Sequence, residues 1–167
     1  MKFRELKANE IECRVNQINE KGLTLLLYKD ARCDMNILDE TVGSMNWKRT
    51  HTRDNANCIV SIWDSEKNQW IDKEDTGIES NTEKEKGLAS DSFKRACVNW
   101  GIGRSLYTAP FIYIPADKVE IKKNSNDKFV TNSKFKVNSI KYANGTIVEL
   151  TIINNKNELV YAYKVQK

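Results

Sequence analysis

Apolar and polar positions along the 167-residue chain follow two periods, and the boundaries between them outline the elements. Short apolar runs or alternation over 10–17 (EIECRVNQ) and 23–28 (LTLLLY) predict two strands joined by a polar turn from Asn19 to Gly22. Over 31–42 the period changes. Ala31, Met35, Leu38 and Val42 recur at helical spacing and Gly43 follows as a stop, so a helix of about three turns is expected. Three more strand patterns occupy 45–53, 57–64 and 69–78, with gaps short enough for an antiparallel meander. The strongest pattern is a helix over 82–100, where Ala89, Phe93, Ala96, Cys97 and Trp100 fall on one face. Thr82 and Glu85 form a capping box at its start and Gly101 ends it.

The flanks are less regular. Phe3 and Leu6 between charges predict a short lead helix over 1–9. FIYI at 111–114 is a short apolar run, and 117–133, rich in Lys, Asn and Asp, reads as a linker or a loosely held strand pair. Segments 134–142, 146–153 and 158–165 alternate, separated by turns at Ala143-Asn144-Gly145 and Asn154–Asn157. The expected class is α+β: an antiparallel β-β-β-α core whose long helix covers the sheet, plus a small C-terminal β meander. The corresponding domains are a core over 1–116 and a lysine-rich linker with meander over 117–167.

Composition narrows the chemistry. The chain is 40% apolar and 30% charged, with 27 basic and 23 acidic residues, so its +4 charge allows a polyanion partner without demanding one. No apolar run exceeds five residues, far short of a membrane span, and MKFRELKANE has no apolar stretch of the kind a secretion signal needs, so a cytoplasmic protein without a membrane partner is expected. Cys13, Cys33, Cys58 and Cys97 are widely spaced and accompanied by one histidine, His51, which is not the pattern of a metal site; they read as reduced, mostly buried thiols. No phosphate-cradling loop is present, and Leu106 breaks a glycine fingerprint begun by Gly101 and Gly103, so neither nucleotide nor other cofactor is expected. Asp64, Asp72 with Lys73, and Glu74 could be drawn into a magnesium-dependent nuclease or resolvase pattern, although a solvated hairpin edge explains them equally well.

Two basic segments stand out. Lys48, Arg49, His51 and Arg53 follow Trp47 in one strand; Lys94 and Arg95 lie on the long helix, with Arg104 just beyond it. Lys94 sits about 60–100° around the helix from the apolar face, so the pair would line the helix rim. Cations beside aromatics suit a groove that tracks a single strand's phosphates, and they equally complement a helix C-terminal dipole. On these residues alone both readings stand.

Residues 83–107, EKEKGLASDSFKRACVNWGIGRSLY, go further. The Asp-x-Phe-Lys-Arg-Ala helix followed by an aromatic-Gly turn resembles the phage Sak and eukaryotic Rad-fifty-two family of single-strand annealing proteins. Ile11 to Arg14, Tyr28-Lys29-Asp30-Ala31-Arg32, Gly43 to Trp47 and Gly77 are similar to that family's upstream segments in the same order, so the resemblance covers about residues 1–114. It implies a β-β-β-α core that assembles into rings or arcs with single-stranded DNA in a basic groove, phosphates inward and bases free. It implies phosphate contacts for Lys94 and Arg95 and a groove role for Arg14, while Arg32 and Arg104 match positions characteristic of the phage branch. Val98 stands where the eukaryotic branch has a basic residue, and the loop before the helix carries fewer lysines, so a second, outer DNA site is not implied.

The implied function is ATP-independent binding and annealing of complementary strands in phage recombination and repair, inside a bacterial host cell and with no enzymatic step. Single-stranded DNA and copies of the chain are the partners, with a single-strand-binding protein or phage exonuclease as further candidates. Base pairing, at roughly 1–2 kcal/mol per step, would drive the reaction. The competing classes are the nuclease and a non-catalytic protein-interaction adaptor using the C-terminal meander. Charge is unevenly spread: 1–110 hold 17 basic and 18 acidic residues, whereas 111–167 hold 10 and 5, and all seven arginines lie at or before position 104.

Overall fold

The computed structural model describes residues 1–78 and 84–166. In chain order the strands are β1 (Ile11–Asn19), β2 (Gly22–Lys29), β3 (Trp47–Thr52), β4 (Asn57–Asp64), β5 (Gln69–Thr76), β6 (Ile112–Pro115), β7 (Lys122–Lys123), β8 (Phe129–Val130), β9 (Phe135–Ala143), β10 (Thr146–Asn154) and β11 (Leu159–Lys164). Helix α1 spans Ala31–Val42 between β2 and β3, and α2 spans Lys84–Trp100 after β5. The class is α+β with antiparallel pairing and one long helix on a sheet, as the patterning predicts.

The chain forms two compact units. One comprises residues 1–5 and 29–104, the other residues 6–28 and 105–167. In the first, β3-β4-β5 make an antiparallel sheet with α2 packed on β4 and β5. Cys58, Val60 and Ile62 of β4 alternate toward the helix and are buried, together with Phe93, Ala96 and Cys97 of α2. The α1 boundaries follow from its ends. The Asp30 side chain accepts a hydrogen bond from the Arg32 N–H as N-cap, and Gly43 takes φ 83° at the C-cap. The long helix starts at Lys84; its expected N-cap Thr82 lies outside the described residues.

In the second unit the strand order is β11-β10-β9-β1-β2-β6. The C-terminal meander is therefore half of a six-stranded sheet completed by β1, β2 and β6, with Glu12 of β1 opposite Lys136 of β9. The chain divides at 5/6, 28/29 and 104/105 rather than at the expected 116/117, because period-2 alternation marks a strand without naming its neighbour. Two further expectations change. Residues 1–7 carry no helix, and only a 3-10 turn forms at Ala8–Glu10; two apolar residues are too few to hold a helix this short. The strand expected to run to Arg53 ends at Thr52, since Arg53, Asp54 and Asn55 all take positive φ in the turn to β4.

Two close approaches seat the helices of the first unit. Gly77, just after β5, passes so close to α2 that a Cβ there would lie 2.5 Å from the Ser92 amide nitrogen and 2.8 Å from the Leu88 carbonyl oxygen. Lys29 and Asp34 are buried to 5% and 0% exposure and form an ion pair, and Lys29 Nζ also donates to the Lys94 carbonyl at 3.2 Å. The second carboxylate oxygen of Asp34 is buried without a hydrogen-bond partner. Burial pushes the Asp34 carboxyl up to about 6, against the opposing pull of Lys29.

Gly77→Ala should therefore force β5 and α2 apart and lower stability by about 1–3 kcal/mol, read as the chemical-denaturation midpoint. An unchanged midpoint would refute the close approach. Lys29→Met strands a buried carboxylate. The native Asp34 carboxyl then titrates still further above its unfolded value near about 4, so folding takes up a proton and stability falls as pH rises through that window. The expected loss is about 3–5 kcal/mol at pH 7 and clearly less near pH 4.5, measured by urea unfolding at both. Equal losses at the two pH values would contradict this account.

Candidate nucleic-acid interface

The site is built around α2. Its Asp91–Ala96 segment places Phe93 and Ala96 in the core, leaving Lys94 and Arg95 about 100° apart on the two flanks of the helix. Lys94 lies on the side of α1: its carbonyl takes the Lys29 hydrogen bond, and its ammonium is 3.9 Å from Asp91. Arg95 turns to the opposite flank, where Nε reaches Asp75 of β5 at 3.3 Å. The pair does not share one rim; it brackets the helix.

Strand parity sorts the β3 cations. Arg49 pairs with Val60, so it faces α2, and its guanidinium lies 4.8 Å from the Phe93 ring centroid. Trp47, two residues earlier on the same face, stacks on Phe93 at 6.1 Å and donates its indole N–H to Asp39 of α1. Arg49, Lys94 and Arg95 are thus gathered around one helical turn. Lys48 pairs with Ser61 on the other side of the sheet and sits 4.4 Å from the Trp70 centroid, with Trp63 edge-on to Trp70. Arg53 stands alone in the β3–β4 turn, with no ion pair or ring contact of its side chain among the described residues. His51 shares the Arg49 face, 3.5 Å from the Ser92 hydroxyl, and burial followed by the Arg49 charge holds its pKa below the usual value.

Three other predicted cations have different settings. Arg104 donates to the carbonyls of Val98 and Asn99 at 2.8–3.1 Å, so it caps the C-terminus of α2. Lys73, which the sequence offered only as part of the nuclease pattern, joins it: Nζ donates to the Asn99 carbonyl at 2.8 Å and lies 4.6 Å from the Trp100 centroid. Arg32 is highly exposed and paired with Asp30 at the start of α1, holding that carboxyl below the usual range through a side-chain hydrogen bond. Arg14 belongs to β1 in the second unit, where it pairs with Glu12 at 2.7 Å and covers the Tyr28 ring at 4.8 Å.

The carboxylates proposed for a nuclease are not brought together. Asp64 lies on the helix-facing side of β4, in line with Ile62, and its Oδ1 accepts from the Glu66 and Lys67 amides of the next turn. Asp72 pairs with Ser61 on the opposite face, and Glu74 accepts from the Asn57 side chain. Among the described residues, no three His, Cys, Asp or Glu side chains are grouped as a metal site. Burial raises the thiol pKa of Cys13 to about 12, of Cys58 to about 11, and of Cys97 well above the usual value, so these sulfurs stay protonated and poorly nucleophilic. No described helix is long and apolar enough to cross a membrane.

What the arrangement offers chemically is a set of positioned cations around a rigid helix turn. The signal for Arg49 was available in the alternation of β3, once the helix-facing parity was fixed by Cys58, Val60 and Ile62. A scan against protein-family models finds no match to this chain, and searches of curated proteins and of solved structures find none either.

Proposed function

We propose that this chain binds single-stranded DNA and anneals complementary strands without nucleotide hydrolysis, working as a ring or arc of copies in recombination. The observation that carries the reading is the turn of α2 at 93–95, with Arg49 over the Phe93 ring and Lys94 and Arg95 on either flank. The β3-β4-β5-α2 order agrees with the architecture that the sequence resemblance implies.

The energetics of these interactions fit phosphate binding. Lys94 and Arg95 are held by Asp91 and Asp75 in partly exposed pairs of 3.9 and 3.3 Å. Such pairs are worth about 0–1 kcal/mol, so an incoming phosphate can replace the carboxylate at small cost. Arg49 is oriented by a ring rather than an acid, which leaves its donors free to take a phosphate oxygen. Cations aimed at the backbone carry no sequence code and leave base edges open for pairing. A unit with so few cations binds weakly by itself, and assembly into a multimer supplies the affinity. The adaptor and nuclease alternatives have no comparable cluster behind them.

Lys94→Ala with Arg95→Ala should lower single-strand affinity by at least about ten-fold at low salt and abolish annealing, with the circular dichroism spectrum unchanged. The wild-type chain should anneal in the absence of ATP and Mg²⁺, and its mass distribution should show multimers that single-stranded DNA reinforces. Wild-type affinity in the double variant, or a monomer with and without DNA, would overturn the proposal.

A further inference from the structure

The second unit carries the charge that the first lacks. Its residues include 13 basic and 8 acidic side chains, a net of +5, whereas the first unit holds 14 and 15, a net of −1. One face of its sheet is packed: Val137, Leu150 and Ile152 are buried there. The register defines the open face. Lys141, Glu149 and Lys164 stand side by side across β9, β10 and β11, as do Ser139, Thr151 and Ala162. Lys136 is opposite Ile153 on one side and Glu12 on the other, and Arg14 follows Glu12 on β1. Four cations thus share this face with two carboxylates.

A bulge shapes the same face. Thr151 pairs with Ser139 but Ile152 pairs with Val137, so Asn138 is the extra residue. Beside it runs an open groove of about 1,030 Å³, lined by Lys136, Asn138, Ser139, Thr151, Ile153 and Leu159 among others. That volume is comparable to cavities that take a whole small-molecule ligand. Leu159 is 57% exposed, an apolar side chain left open beside hydroxyl and amide groups.

We propose that this open face is a separate contact surface for single-stranded DNA, with Lys136, Lys141 and Lys164 taking backbone phosphates and the groove at Asn138 receiving an unpaired base. An unpaired base has apolar faces and donor and acceptor edges. Ile153 and Leu159 suit the former; Asn138, Ser139 and Thr151 suit the latter. A duplex keeps its bases stacked, so the groove favours single strands. Glu149 serves both Lys141 at 2.6 Å and Lys164 at 2.9 Å, and one carboxylate for two ammonium groups leaves positive charge to spare. These exposed pairs are weak enough for a phosphate to displace. The inference rests on the single-strand binding proposed above but assigns it to residues of the other unit.

The test uses the full chain and a labelled oligo-deoxythymidine strand, with affinity followed by anisotropy between about 50 and 200 mM salt. Lys136→Gln with Lys141→Gln and Lys164→Gln should bind about ten-fold more weakly at low salt and flatten the log–log salt slope by about 2, near 0.7 for each phosphate that is no longer neutralised. Lys118→Gln with Lys122→Gln and Lys123→Gln removes the same charge from the same unit outside the sheet face, and should change affinity less than about three-fold. Asn138→Asp, a single change at the groove, should also weaken the single strand, and blunt duplex should bind the wild type less well. Equal losses in the two lysine triples would mean diffuse attraction and overturn the site. So would wild-type binding by the face triple, which leaves the helix reading intact if Lys94→Ala with Arg95→Ala still loses affinity. Failure of the wild-type chain to bind the strand at all would overturn both.

Discussion

The seat of α2 on β4 and β5 is the constraint on which the first unit depends. Phe93, Ala96 and Cys97 can be buried only if the helix lies close, and the absence of a Cβ at Gly77 permits that approach. Once the helix is fixed, the 100° step between residues sends Lys94 and Arg95 to opposite flanks. The same packing gives Arg49 its ring to lie on. Ser92 adds a polar lock, its hydroxyl donating to the Asn55 carbonyl at 3.0 Å, so the β3–β4 turn is tied to the helix as well. Position, rather than number, of cations is what this packing produces.

Rigidity is supplied at the C-terminal end of the helix and from below. Arg104 and Lys73 satisfy the last carbonyls of α2, where the helix dipole favours positive charge. Beneath its middle the Lys29–Asp34 pair holds the Lys94 carbonyl from a site closed to water. A buried pair of this kind contributes little net stability, because desolvation offsets the attraction; what it does is penalise any arrangement that separates the partners. Cations that composition counts as equivalent therefore have different tasks. Lys29, Lys73 and Arg104 hold the scaffold, whereas Arg49, Lys94 and Arg95 have weak ionic or aromatic side-chain partners.

Much of this was legible in the residues. The span of α1 followed from the helical spacing of Ala31, Met35, Leu38 and Val42 with Gly43 as its stop, and the meander from three alternating runs with short gaps, because each is decided by local chemistry. The rest depends on partners distant in sequence. Pairing of β1 with β9 brings residues more than a hundred positions apart into one sheet, and no local pattern announces it. The Lys29–Asp34 pair was hidden because a lysine ending an apolar strand looks like a solvated edge. Parity told against the carboxylate trio: Asp64 and Asp72 lie on opposite faces of the β4–β5 hairpin, and only the register reveals it.

The division of charge acquires a physical meaning once the fold is known. The excess of lysine does not hang on a loose tail; part of it is built into the strands of the second unit, at defined register positions. The first unit is nearly neutral, so long-range attraction to a polyanion must come mainly from the second, and it must fade quickly with salt because those lysines are exposed. In the proposed reading, contacts around α2 also release counterions and weaken with salt, but there Arg49, Lys94 and Arg95 are oriented by a ring and by carboxylates. On that reading, lysines set at register positions of the second unit and oriented cations around α2 are separable contact sites, and a protein that must hold a strand while leaving its bases free would benefit from keeping them on different units.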